Sequence, residues 1–240
     1  MFWKTTSMLM VLMFALVSIG CSGGGSGTNT DLGAGEPVAP DEVTIPAGLR
    51  AVADAGDDGA QTLITMVRLI EQFDSLSAIL RAPDGAVAAG APSFAPLADS
   101  TWQWTDDNLT YTLTYTETET EYLWVLVADG ISSGGAAYNE FVMAEMAKAK
   151  DGSSGSVTKY HRAMYGYTTS YEWSVSGTSL TMTARIGITA YYCELVATVE
   201  SDGSGVVVVY LGDELIARIV WDGDGHGQWW NYQESDEGTF

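Results

Sequence analysis

From about residue 101 onward, apolar and polar positions alternate with a period of two. Leu109, Tyr111, Leu113 and Tyr115 alternate with threonines at 110, 112, 114 and 116. Tyr167, Thr169, Tyr171, Trp173 and Val175 alternate with Thr168, Ser170, Glu172 and Ser174. Leu180, Met182, Ala184 and Ile186 do the same against Thr181, Thr183 and Arg185. Such alternation predicts half-buried antiparallel strands, one face apolar and the other rich in Thr and Ser. Turn-forming residues punctuate the runs at Asp106–Asn108, Asp129-Gly130, Asp151-Gly152, Ser176-Gly177, Asp202-Gly203, Leu211–Asp213 and Asp222-Gly223. The spacing predicts an up-and-down meander of about ten strands, curled or closed into a barrel. A weak repeat, Asp202-Gly-Ser-Gly followed by Tyr210 and Asp224-Gly-His-Gly followed by Tyr232, has the period of one hairpin. Residues 137–149 suit strand or helix.

Upstream the period lengthens. Leu63, Met66, Val67, Ile70, Phe73 and Leu80 share one face of a helix over 59–81, with Arg68, Glu71, Gln72 and Ser75 opposite. One amphipathic helix cannot make an α domain, so it is expected to pack on the sheet. The class is therefore mainly β, and residues 46–240 read as one domain. Trp124 and Val206–Val209 lie where both strand faces are apolar, which predicts cover on both sides or a cavity behind one face. Trp229 and Trp230 are adjacent and must point to opposite faces of a regular strand.

The N-terminus carries a different signal. Lys4 precedes an uninterrupted apolar run, Met8–Val17, and Ser18-Ile19-Gly20-Cys21 closes it. The run is too short for a membrane span and has the length of a signal-peptide core. With its terminal cysteine the segment resembles a bacterial lipoprotein signal. The resemblance implies cleavage after Gly20 and acylation of Cys21, with residues 1–20 removed. Ser22, in place of an aspartate, implies an outer-membrane destination. The lack of acidic residues beside Cys21 favours the periplasmic face. Residues 22–45, rich in Gly, Ser, Thr and Pro, are expected to be a flexible tether. Acyl anchor, helix and curved sheet together resemble periplasmic lipoprotein carriers in architecture alone.

Charge narrows the partners. The chain has 31 acidic and 10 basic residues and a net charge of −21. Loss of residues 1–20, which hold only Lys4, makes it −22. That balance excludes nucleic acid, which needs clustered Lys and Arg. It also excludes electrostatic adhesion to anionic lipid. With Cys21 acylated, Cys193 has no disulfide partner. Its strand parity with Tyr191, Leu195, Ala197 and Val199 marks it as a buried structural thiol.

Motifs for chemistry are few. Asp222-Gly-Asp224-Gly-His226-Gly resembles the first half of a calcium loop, with carboxylates at alternate positions. His226 stands where an oxygen ligand is wanted, Gln233 stands where a bidentate Glu is wanted, and the flanks read as strand. An ordinary hairpin turn is the preferred reading, with calcium on Asp222 and Asp224 as the alternative. Glu117, Glu119 and Glu121 share parity around a Thr-rich turn and read as a solvated hairpin. Lys159-Tyr160-His161-Arg162 is a local basic patch in an acidic chain, for which strand surface is the default and ligand binding the alternative. No nucleophile elbow, zinc-protease helix, P-loop or dinucleotide fingerprint is present. The expected role is non-enzymatic: binding a hydrophobic or small ligand, or scaffolding in the envelope. A carboxylate-dependent hydrolase is the alternative.

Overall fold

The computed structural model describes residues 46–71, 79–83, 86–88, 99–164 and 166–240. Cys21, the tether and the side chains of Ile70 and Phe73 lie outside them. Two helices come first, α1 (Ala47–Asp54) and α2 (Asp58–Glu71). Thirteen strands follow: β1 (Val87–Ala88), β2 (Asp99–Asp106), β3 (Leu109–Glu117), β4 (Glu121–Ile131), β5 (Ala137–Ala149) and β6 (Ser154–Tyr160). Then come β7 (Thr168–Ser176), β8 (Ser179–Ile188), β9 (Tyr191–Glu200), β10 (Gly205–Leu211), β11 (Glu214–Trp221), β12 (Gly227–Asn231) and β13 (Asp236–Thr239). They form one sheet in sequence order, every neighbouring pair antiparallel.

This is the mainly β meander that the alternation predicts, with more strands. Four turns escape the Gly/Asp pattern: Thr118–Thr120, 161–167, Thr189–Ala190 and Tyr232–Ser235. Asp129-Gly130 is not a turn, since β4 runs on to Ile131 and bends at Ser132–Ala136. Residues 137–149 are strand β5 throughout. Asp107 and Asn108, with φ of 50° and 61°, make a tight turn of the kind that matches strand twist.

The helix predicted over 59–81 is α2, which runs to Glu71; residues 72–78 lie outside the described residues, and α1 lies upstream of the prediction. Asp57 caps α2, its Oδ1 accepting from Ala60 N at 2.8 Å, and so starts the helix at Asp58, one residue before the predicted start. The α1 segment, only eight residues long with Leu49 and Ala53 buried on one face, was not predicted. Leu63 and Val67 are fully buried on the predicted face, and α2 packs against β8, β9, β12 and β13. Leu80 is buried from a turn, beyond the helix.

Inward positions are buried along the sheet: Leu113, Trp124, Ala144, Val157, Tyr171, Trp173, Leu195, Val209, Ile219 and Trp229. A twisted sheet of this many strands curls, and the curl encloses its own apolar face. Val207 and Val209 point inward, while Val206 and Val208 remain half-exposed. The two-sided cover expected for this strand is thus partial, with packing concentrated on one side. Tryptophans fill the interior by lying over glycines on neighbouring strands. Trp173 lies over Gly155, Trp221 over Gly205 and Trp229 over Gly238, while Phe240 lies over Gly227. Trp229 and Trp230 point to opposite faces as predicted, the first fully buried and the second half-buried.

Candidate functional site

A β-bulge builds the site. Leu126 pairs with Ala144 but Val127 pairs with Val142, which leaves Met143 as the extra residue on β5. Downstream of the bulge Ala144 and Met146 face inward. Upstream, Phe141 pairs with the buried Ala128 and so faces inward too. Bulges commonly re-aim a side chain in this way. Phe141 thereby meets the end of β6 and the β6–β7 loop in a cleft of about 440 Å³. Tyr160, His161, Arg162, Gly166 and Tyr167 complete its lining.

Each lining group is held. Tyr160 OH donates to Glu145 Oε1 in a short hydrogen bond. Burial and this carboxylate push the Tyr160 phenol up to about 12, so it stays protonated. His161 Nε2 lies 3.0 Å from Oγ1 of the buried Thr169, and the His161 ring stands edge-on to Tyr167 at 5.1 Å. Burial, with Lys159 nearby, holds the imidazole below its usual range and therefore neutral at pH 7. Arg162 Nε donates to Ala137 O at 3.0 Å, and its guanidinium lies 6.0 Å from the Tyr138 ring. Tyr138 in turn packs edge-to-face on Phe141. The cleft therefore combines aromatic rings with the Arg162 cation, and its lining holds no carboxylate among the described residues.

Tyr160, His161 and Arg162 of the basic patch thus line a cleft. Phe141, Tyr138 and Tyr167 were not visible as partners, because the bulge that turns Phe141 inward leaves no mark in the alternation. One signal could have found Tyr167: residues 160–171 contain no Asp or Glu in a chain dense with both.

Asp222, Asp224 and His226 do come together, with one ligand atom from each within 4.8 Å, all three exposed. Asp222 Oδ1 already accepts from Asp224 N and His226 N, both at 3.0 Å. The same device recurs at this end of the sheet. Asp151 Oδ1 accepts from Ser153 N at 2.9 Å, and Asp202 Oδ1 accepts from Ser204 N at 2.9 Å and Ser204 Oγ at 2.6 Å. Those hydrogen bonds hold the Asp151 and Asp202 carboxyls below the ordinary range. The β9–β10 and β11–β12 turns repeat at the 22-residue spacing, Gly203 N on Glu200 O matching Gly225 N on Asp222 O, but the carboxylate that braces the turn is Asp202 in the first and Asp222, the counterpart of Glu200, in the second. Glu117 is paired to Lys150 at 2.7 Å on an exposed hairpin. Cys193 is buried, and burial with Glu194 beside it pushes its thiol up to about 11, which keeps it inert at neutral pH. Among the described residues no helix is long and apolar enough to cross a membrane.

Compared with known protein families, curated proteins and solved structures, the chain matches none.

Proposed function

We propose that this chain is a lipid-anchored protein of the bacterial envelope, non-enzymatic, whose β domain binds a small ligand in the β5–β7 cleft. The lipobox-like Ser18-Ile19-Gly20-Cys21 supports the anchor, with Cys21 as the acylated residue at the periplasmic face of the outer membrane. The observation that carries the binding role is the cleft itself. Its 440 Å³ falls within the usual range for small-molecule sites, and its lining is mostly aromatic with few polar groups.

The chemistry selects the ligand class. Phe141, Tyr160 and Tyr167 offer ring faces and edges to a flat or apolar body. Arg162 Nε is committed to Ala137 O, so the Nη atoms are the donors for an anion such as a carboxylate or sulfonate. A ligand with an apolar ring and one negative group satisfies both halves. The neutral imidazole of His161 adds a hydrogen-bonding edge without a second charge. The alternative of a carboxylate hydrolase draws no acid pair from this cleft.

The probe that tests this is anilinonaphthalene sulfonate, which is itself an aromatic anion. The native protein is expected to bind it at one saturable site, and Arg162→Ala to weaken that site about tenfold, as loss of one charge-assisted contact does. Saturable binding untouched by Arg162→Ala, or no binding, would overturn the assignment.

A further inference from the structure

His161 and Arg162 are consecutive residues just after β6, and both line the cleft of about 440 Å³. A space of that size brings an anion held by Arg162 close to the imidazole as well.

The ring can change its charge without losing its partner. Nε2 lies 3.0 Å from Oγ1 of the buried Thr169. A hydroxyl donates or accepts, so it serves an unprotonated Nε2 and a protonated one alike. A backbone carbonyl in that place could only accept and would fix the proton on Nε2. Protonation of the ring makes both nitrogens donors and adds a full charge.

The protein itself offers that charge little support. On β6, Lys159 is a like charge, and Tyr160 presents a phenol that stays protonated and donates to Glu145 of β5. From β5 the cleft receives Phe141, which is apolar. Tyr167 stands edge-on to the imidazole, with its phenol raised by burial, and the Cys193 thiol of β9 that acts on Tyr167 is neutral. Arg185 of β8 pairs with Ser170, on the face opposite Thr169, and there it bonds Glu194 of β9. Among the described residues no carboxylate is ion-paired to His161. Opposite charge beside the imidazole therefore has to come from the ligand.

We propose that the cleft takes up its anionic ligand together with a proton, which adds to His161 so that His161 and Arg162 hold the anion as a pair. This rests on the cleft being the ligand site. The proton comes from solvent and joins the imidazole lone pair, and no bond of the ligand changes. The sign follows from linkage. An anion favours the charged ring and raises its pKa in the complex, so binding draws in a proton and affinity grows as pH falls. A rise of one unit corresponds to about tenfold in affinity between the two limits.

The window for seeing this is clean. The chain has two histidines, His161 and His226. Carboxylates ordinarily titrate near pH 4, so between pH 7.5 and 5.5 the side chains that change charge are these two. His226 is exposed on the β11–β12 turn and does not line the cleft.

The test measures anilinonaphthalene sulfonate binding to the native protein at pH 7.5 and 5.5, across which the sulfonate stays ionised. Affinity is expected to rise about threefold or more. His161→Gln, whose amide can still bond Thr169, should flatten the rise, and His226→Gln should leave it intact. If His161→Gln does not fold, the native protein answers alone: followed by NMR, the titration midpoint of the His161 ring should rise by about one unit with saturating probe while that of His226 stays. Saturable, Arg162-dependent binding that is equal at the two pH values would overturn the proton coupling and leave the cleft as the binding site. So would a His161 midpoint that the probe does not move, or a pH effect that survives in His161→Gln. Absence of saturable, Arg162-dependent binding at both pH values would overturn the cleft reading and this proposal with it.

Discussion

Gly59 on α2 lies directly beneath the indole of Trp229 on β12. A Cβ at residue 59 would stand 2.5 Å from Trp229 Cη2 and 2.6 Å from Asp236 Oδ2. The glycine is therefore what lets the helix seat on the sheet. Two effects compete in Gly59→Ala. Alanine favours helix by about 1 kcal/mol, whereas overpacking a filled interior costs about 1–3 kcal/mol. The indole is fully buried and has nowhere to move, so overpacking wins. Gly59→Ala is expected to lower unfolding stability by about 1–2 kcal/mol in urea titration, against the helix-propensity trend.

Trp221 and Trp229 differ in one atom's surroundings. Trp221 Nε1 donates to Gly203 O at 2.8 Å and so ties β11 to the β9–β10 turn. Trp229 Nε1 is buried with no partner among the described residues. Replacing either by phenylalanine removes ring volume. Only Trp221→Phe also removes a hydrogen bond, while Trp229→Phe removes an unsatisfied donor. Trp221→Phe should be the more damaging by about 1–3 kcal/mol in parallel denaturation curves.

His161 makes stability depend on pH. Its folded-state pKa lies below the unfolded value, so the unfolded chain binds the proton more readily. By linkage, stability rises with pH across that interval. The contribution is complete above the unfolded histidine pKa of about 6.5 and is lost as pH falls toward the lowered folded value. Thermal midpoints measured from pH 7.5 down to 5 should fall, and His161→Gln, which keeps a polar partner for Thr169, should flatten part of that slope.

Asp222 is expected to act as a turn residue. Its Oδ1 is occupied by two backbone N–H groups, and Asp151 and Asp202 each accept one backbone N–H in their own turns. Asp222→Ala should cost about 1 kcal/mol from the lost turn bonds. Millimolar calcium should leave the thermal midpoint of the native protein in place. A rise that a chelator reverses would instead make Asp222 and Asp224 metal ligands.

The fold was largely legible because strand alternation is a local code. Leu109–Tyr115 and Leu180–Ile186 each declare their inward face without reference to any partner. The missed turns show where that code stops. Thr189–Ala190 carries no Gly, Asn or Asp at its tip, and Asp129-Gly130, which looks like a turn, continues as strand. The site was half legible. Lys159–Arg162 stands out by charge alone, but Phe141 reaches the cleft only through the bulge at Met143, and a bulge is a property of two strands in register. Likewise Gly155 and Gly205 look like weak points in their strands until Trp173 and Trp221 are seen lying over them.

The claim that matters most is that the β5–β7 cleft is a binding site. Amide chemical shifts followed by NMR during titration with anilinonaphthalene sulfonate test it directly. Shifts that concentrate at Phe141, Tyr160–Arg162, Gly166 and Tyr167, and that shrink in Arg162→Ala, are the expected result. Shifts confined to the exposed tips at Ile131 and Tyr191, or scattered over the sheet with the cleft unmoved, would contradict it.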